Sequence, residues 1–468
     1  MRNKISQKIR VALLGGSLIL TFGAAAAQTG LQQSLVPGSS DQPNKPVNRF
    51  ALHLSEAFNQ ANDNNPEITT AMHNLHVAQA QIKTAGSIPN PQFALQYGFG
   101  NPYNQTIAGN TQQAGINQLI ELGGKRSARL RYAKENFKLT SLQIETLRFD
   151  VRCRVRRAYA ELAAAEANID LIENQRDLVN RLYTIASQRF KGGAAPESEE
   201  IQAHFAVDQF DTLRTTALVR LRQASIQLDF LLGFKAERDI DVQDNSLFKL
   251  SSAQNELVPK PDSSLPNLQN LLLSAYQQRP DLLVANEQVT TNLRQLSLSK
   301  RQAIPDVLIG SGFVWSTYKR DQQVPPQNGA YLNVNVDLPI FYRHQGEIAL
   351  AHANIEQSRT QANSVRARVE MDVQSAYAAL IGARTNVLRY QQELIPHARE
   401  VVHLAQRSYE VGRTDISNAI IGQQSFQQTL STYFDAVVAY QNAWADLEKA
   451  IGKPLLVQDE NFGNDPAK

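Results

Sequence analysis

Side chains capable of catalysis or metal binding are few in this sequence and widely spaced. His73 and His76 stand three residues apart, as two ligands on one helix face would, but no acidic residue or second histidine pair brackets them. A solvated helix face is therefore the favoured interpretation. His397 and His403 are six residues apart and fall on different faces of a helix. No glycine-rich phosphate loop, nucleophile elbow or CxxC pair occurs, so the sequence predicts neither an enzyme nor a cofactor or metal site.

The cysteine count and the charge balance exclude further classes of protein. Cys153 is the only cysteine, which allows no disulfide framework and no thiolate metal cluster, and predicts no lipid anchor. With 47 basic and 44 acidic residues, the chain lacks the positive field that a nucleic-acid-binding protein uses.

The N-terminal residues predict export from the cytoplasm. Basic residues precede an apolar run from Val11 to Phe22, and a small-residue cleavage site ends at Ala27. The alternative, an N-terminal membrane anchor, is disfavoured because the run is shorter than the ~20 residues that span a bilayer core. We expect a signal peptide over residues 1–27, followed by a poorly ordered leader over residues 28–51.

The secondary-structure elements that would position any functional residue occur in two successive repeats. Asn65-Pro66-Glu67 recurs as Arg279-Pro280-Asp281, and Ala158-Tyr159-Ala160 as Ala376-Tyr377-Ala378. The predicted organisation is a first repeat over 52–240, a linker or equatorial segment over 241–265, a second repeat over 266–454, and a tail over 455–468. Each repeat holds a helical stretch (53–87; 266–302), two short strands, a very long helix (125–191; 344–411), a glycine turn and a last helix (196–233; 414–452).

The long helix of the first repeat has the apolar spacing of a coiled-coil seam. Steps of four and three residues connect Leu147, Val151, Val155, Ala158, Leu162, Ala165, Ile169 and Ile172. At 1.5 Å per residue a helix of this length reaches roughly 100 Å. The two shorter helices of each repeat together match that length and could lie end to end beside it.

The short strands alternate as the wall of a membrane barrel would. Phe93, Tyr97 and Phe99 fall on one face of the first strand, and Trp315 joins them as a predicted lipid-facing aromatic residue. In the last strand the polar residues alternate with Leu332, Val334, Val336 and Leu338, and are predicted to face the lumen: Asn333, Asn335 and Asp337. Hairpins on a soluble core are the alternative, which these polar residues make less attractive because they require water.

The number of strands predicts an oligomer. Four strands cannot close a barrel, and an unpaired strand edge is not tolerated in lipid. Three copies would supply twelve strands, so we expect a homotrimer if the strands span the membrane.

Together these features resemble the TolC-like outer-membrane factor family, over about residues 52–454. The resemblance implies an α+β, mainly α fold in which a trimeric 12-stranded β-barrel continues into an α-helical periplasmic tunnel. It also implies a passive efflux conduit in the outer membrane of a Gram-negative bacterium, working with a periplasmic adaptor and an inner-membrane pump of the RND type. The segment Gln118–Arg126 resembles the cobalt-zinc-cadmium efflux subgroup, which implies heavy-metal cargo.

The same resemblance implies roles at the two helix turns. Lys191, Gly192 and Gly193 in the first repeat match the tip that contacts the adaptor, as do Val411, Gly412 and Arg413 in the second. Where relatives often carry an acidic constriction, this chain has Asn418 and Ile421. The candidate aperture acids are therefore Glu197, Glu199, Glu200 and Asp415. Such acids also complement a helix dipole, and both interpretations stay open.

Two alternatives remain at this point. A soluble periplasmic coiled-coil protein, such as an adaptor, should show one helical hairpin that interrupts all-β domains. The same channel fold could instead export drugs or a secreted protein.

Overall fold

A computed structural model describes residues 50–97, 111–234, 240–244, 248, 265–316 and 328–455. The first repeat contains β1 (Phe50–Leu52), α1 (Leu54–Asn64), α2 (Pro66–Gly86), β2 (Gln92–Tyr97), β3 (Thr111–Ile120), α3 (Lys125–Lys191) and α4 (Glu197–Leu232), followed by β4 (Ile240–Val242). The second contains α5 (Leu268–Gln278), α6 (Pro280–Gln302), β5 (Val307–Ser316), β6 (Asn328–Val336), α7 (Gln345–Arg389), a π-helical turn (Tyr390–Leu394), α8 (Ile395–Glu410) and α9 (Ile416–Ile451). The predicted class, α+β and mainly α, is confirmed, whereas the signal peptide, Phe99 and nearly all of the leader and the tail lie outside the described residues.

The first helical stretch of each repeat is two helices and not one, contrary to the sequence prediction. The breaks fall at Asn65-Pro66 and at Arg279-Pro280. Proline disfavours the helical conformation in the residue before it, and both Asn65 and Arg279 are extended. Asn65 then caps α2 by accepting hydrogen bonds from the backbone N–H groups of Glu67 and Ile68.

The long helices begin and end close to the predicted residues. α3 is one continuous helix of 67 residues. Its counterpart is interrupted by the π-helical turn, which comes directly before a helix with Pro396 in its first turn. Proline cannot donate the backbone hydrogen bond that a regular helix requires at that point, so the second long helix adopts a local irregularity.

The last helix of each repeat ends against the proline break of the same repeat. The Asn65 side chain donates to the Leu231 carbonyl at 2.9 Å, and the Arg279 guanidinium donates to the Ala450 carbonyl at 3.5 Å. Gly233 and Gly452 terminate these helices with positive φ. The same helix-end contact is therefore made twice, with different side chains.

The predicted seam of α3 forms much of the core. Val151, Val155, Ala158, Leu162 and Ile172 are buried, while Leu147 is only partly so. Small buried residues on α3, among them Ala163 and Ala164, let neighbouring helices approach closely.

Within the described residues, no helix combines the length and the apolar character needed to cross a membrane.

Four strands form one antiparallel sheet in the order β2-β3-β5-β6. The helices that enter and leave these strands lie in the matching order, because α2 contacts α3, α3 contacts α6, and α6 contacts α7. A separate parallel pair, β1 and β4, joins the two ends of the first repeat. The helices α2, α3, α6 and α7 therefore form a row in which the side-by-side order is the same as that of the strands they adjoin.

Candidate functional site

One face of the four-stranded sheet is mostly apolar and exposed. The register places Phe93 beside Ile116, Ala114 beside Phe313, and Ile309 beside Val334. Phe93 and Leu332, on the two outer strands, are each 72% exposed. Among the described residues nothing covers this largely apolar face, which indicates contact with an apolar medium or partner.

The opposite face carries amide side chains and glycine. Asn333 and Asn335 alternate with the exposed apolar residues of β6, and Asp337, the third predicted lumen residue, lies one residue beyond this strand. A Cβ added to Gly310 would collide with the side-chain oxygens of Asn333 and Asn117, so this glycine provides the space that the amides occupy.

The predicted lipid-facing aromatic residues are only partly described. Phe93 lies on the apolar face, and so does Trp315, whose indole N–H donates to the Gln112 side chain. Tyr97 is the last residue of β2, and Phe99 lies outside the described residues.

The segment resembling the metal-efflux subgroup forms the junction between sheet and helices. Arg129 binds Glu121 at 2.6 Å and donates to the Ala85 carbonyl, while Arg126 donates to the Gly86 carbonyl. Lys125 forms an ion pair with Asp306 of the second repeat at 2.8 Å. Hydrogen bonding to Glu121, opposed by burial, raises the pKa of Arg129. These charged residues have structural partners in this chain.

The two predicted tip turns have the same backbone hydrogen bonds. Gly193 N–H donates to the Phe190 carbonyl, and Gly412 N–H donates to the Tyr409 carbonyl, each at 2.9 Å. Both glycines have positive φ. The flanking Lys191, Gly192, Val411 and Arg413 are exposed, so both turns present their surface to solvent or to a partner.

The candidate aperture acids lie beside these turns. Glu197 is exposed at the start of α4, Glu199 and Glu200 are half-buried, and Asp415 is the exposed N-cap residue of α9. Side-chain hydrogen bonds join Gln202 to Ser417 and Gln209 to Gln424, and they hold α4 beside α9. The acids of both repeats therefore lie at the same end of these two helices.

A tyrosine links one of these acids to the second repeat. The buried Tyr409 hydroxyl donates to Glu199 at 3.4 Å, and the Arg189 guanidinium lies over the tyrosine ring at 5.1 Å. Burial, followed by the nearby Glu199 charge, raises the pKa of Tyr409. Glu199 therefore contributes to tip packing as well as to local charge.

Sequence reasoning missed a buried ionic cluster far from the tip. Arg156 on α3 and Glu448 on α9 are each 1% exposed and form an ion pair at 3.4 Å. Glu448 also accepts hydrogen bonds from the Trp444 indole and the Leu455 backbone N–H. The available signal was a pair of arginines, Arg152 and Arg156, within the otherwise apolar seam.

The histidines singled out in the sequence are not gathered with other ligands. The His73 and His76 rings are 6.2 Å apart. In the part of the chain that the structure describes, no group of three or more His, Cys, Asp or Glu side chains is placed to hold a metal ion.

The architecture defines a class of protein in which a repeated unit joins a strand hairpin to very long helices. The sequence profile of the outer membrane efflux protein family matches residues 57–234 and again residues 271–453, and the chain belongs to this family. This confirms the resemblance that the sequence indicated. The family match and the double repeat disfavour the soluble adaptor alternative.

Individual relatives agree with this assignment along most of the chain. The cobalt-zinc-cadmium resistance protein CzcC of Cupriavidus metallidurans is 24% identical, over 92% of this chain and 96% of the relative. The outer membrane protein TolC of Vibrio cholerae is 21% identical, over 90% and 95%. The crystal structure of the Campylobacter jejuni CmeC outer membrane channel has a TM-score of 0.67 at 19% identity, over 85% of each chain, which shows a shared fold.

Proposed function

We propose that this chain is the outer-membrane channel subunit of a tripartite efflux system in a Gram-negative bacterium. Three copies form a 12-stranded β-barrel in outer-membrane lipid that continues into a helical periplasmic tunnel. The trimer is a passive conduit and not an enzyme. An inner-membrane pump of the RND type supplies the substrate through a periplasmic adaptor.

The two-sided sheet is the observation that carries this proposal. Its apolar face suits lipid and its amide-rich face suits a water-filled lumen. Among the described residues, β2 and β6 have no strand on their outer sides. Because lipid does not tolerate an open strand edge, further copies of the chain are needed to close the sheet.

Fractionation and cross-linking test the membrane location and the ring together. We expect the protein in washed outer membranes, released only by detergent. Phe93→Cys on β2 combined with Ile340→Cys just after β6 should give covalent trimers with a bis-maleimide. Each single variant should stay monomeric on denaturing gels, because the ring joins β2 of one copy to β6 of the next. Recovery in the periplasmic extract would contradict the proposal.

For the cargo we propose divalent heavy-metal cations. The support is the similarity to CzcC, whose name refers to cobalt, zinc and cadmium resistance, over nearly the full length of both chains. Export of drugs or of a secreted protein is the alternative. We expect deletion of the gene to lower resistance to zinc, cobalt and cadmium while drug resistance is unchanged, with complementation as control. Loss of drug resistance alone would assign the alternative cargo.

For the two tip turns we propose contact with the adaptor. Lys191 and Arg413 are exposed cations on these turns. We expect Lys191→Glu with Arg413→Glu to reduce co-purification of the adaptor while trimers persist. The matched control is Lys300→Glu, an exposed cation at the end of α6 far along the chain from either turn.

A further inference from the structure

The junction between the two repeats is held by ion pairs between α3 and α6. Lys138 on α3 binds Glu287 on α6 at 2.7 Å. Glu135 on α3 binds Arg294 on α6 at 3.3 Å. Between these pairs, Thr291 of α6 is buried.

The duplication places matching residues on the helices at the two ends of the row. Ile144 and Val151 of α3 correspond to Ala362 and Val369 of α7, and all four are buried. The same correspondence matches Lys138 with Glu356. α7 therefore has a side equivalent to the side of α3 that contacts α6.

The other end of the row has the complementary side. Ile68 and Ala85 of α2 correspond to Leu282 and Ser299 of α6, and all four are buried. The members of each of these pairs are 214 residues apart. The same spacing matches Glu287 with His73, and Thr291 with Val77. Thr291 is 2% exposed within the chain, whereas Val77 is 56% exposed, so α2 lacks the cover that α6 receives.

The strand directions indicate what covers this side. The sheet alternates in direction from β2 to β6, so β6 would run antiparallel to β2 of a next copy. α7 follows β6 and α2 precedes β2, just as α3 follows β3 and α6 precedes β5. A second copy added at the sheet edge therefore brings α7 of one copy beside α2 of the next.

We propose that α2 of one subunit packs on α7 of the next in the geometry of the internal α3–α6 junction. His73 then lies opposite Glu356 of the next subunit, and Ala80 opposite Ala353. Val77 becomes buried between these two contacts. This inference rests on the trimer proposed above and assigns His73 to a subunit interface.

Cross-linking with an internal control tests the contact in the full-length protein in its membranes. Cys153 is the only native cysteine and is buried, so added thiols are labelled selectively. We expect His73→Cys with Glu356→Cys to give covalent trimers with a short bis-maleimide, and each single variant to give none. Lys138→Cys with Glu287→Cys, the internal equivalent, should link within one chain and stay at monomer size.

The strand-edge variant Phe93→Cys with Ile340→Cys separates the possible failures. Trimers from the strand-edge pair but none from the helix pair would overturn the helix contact and leave the ring intact. Absence of trimers from both pairs would overturn the ring itself.

A charge transplant gives a second readout. Glu356→Lys with His73→Glu recreates the Lys138–Glu287 pair across the interface. We expect the trimers of this double variant to resist dissociation by heat in detergent better than those of Glu356→Lys alone. Equal dissociation temperatures for the two variants would contradict the contact.

Discussion

Gly193 and Gly233 share a left-handed backbone but differ in their surroundings. An added Cβ at Gly193 meets nothing within 4 Å, whereas at Gly233 it would collide with the Asn64 carbonyl oxygen. We expect Gly193→Ala to cost about 1 kcal/mol of backbone strain. Gly233→Ala should cost roughly 1–3 kcal/mol more, because the α1–α2 break must shift. Thermal unfolding of the two variants in detergent measures the difference, and equal losses would contradict this account.

Cys153 illustrates how burial controls reactivity at a single residue. Burial raises the pKa of its thiol to about 12, with a smaller contribution from Glu448. Only the thiolate reacts with maleimide or iodoacetamide, so the thiol stays protonated and inert at pH 8. We expect no labelling of the folded protein at pH 8 and complete labelling in denaturant. Rapid labelling of the native protein would show that α3 and α9 separate in solution.

At the scale of elements, the Arg156–Glu448 pair joins α3 to α9. Both side chains are buried, so removing one partner leaves the other charge without full compensation. We expect Arg156→Met to destabilise the protein by about 3–5 kcal/mol. The double variant Arg156→Met with Glu448→Met should recover much of this loss, because it removes both desolvated charges. A double variant less stable than Arg156→Met would indicate a further role for Glu448, for which its bonds to Trp444 and Leu455 are candidates.

For the whole molecule, the proposed trimer would repeat three times the acids that lie beside the helix turns. Glu197, Glu199 and Glu200 in each subunit would give a ring of negative charge that favours cations. We expect Gln at all three positions to lower the preference for cations over anions in planar-bilayer conductance. Glu370→Gln, on the exposed side of α7, is the control and should leave selectivity unchanged. Lower thermal stability with unchanged selectivity would assign the acids to helix-dipole complementation.

Local sequence patterns were sufficient to predict the strand faces, the long helices and the duplication. Alternation along β2 and β6 predicts which residues share a face, because successive strand side chains point to opposite sides. The bounds of α3 and α4 follow from the apolar periodicity and from the turn at Gly192 and Gly193, and the structure places them within one residue of the predicted ends. The duplication follows from repeated landmarks alone.

Contacts between distant residues were decided only by the tertiary structure. The pairing of β3 with β5, the Tyr409–Glu199 bond and the Arg156–Glu448 pair join positions from about 190 to nearly 300 residues apart. No periodicity encodes such partners, because periodicity reports only which face of an element is buried. Pro66 and Pro280 were visible in the sequence, but the helix breaks before them were not predicted, and their contacts with the ends of α4 and α9 through Asn65 and Arg279 are tertiary. Sequence therefore determined the repeated elements and their faces, and packing determined which faces meet.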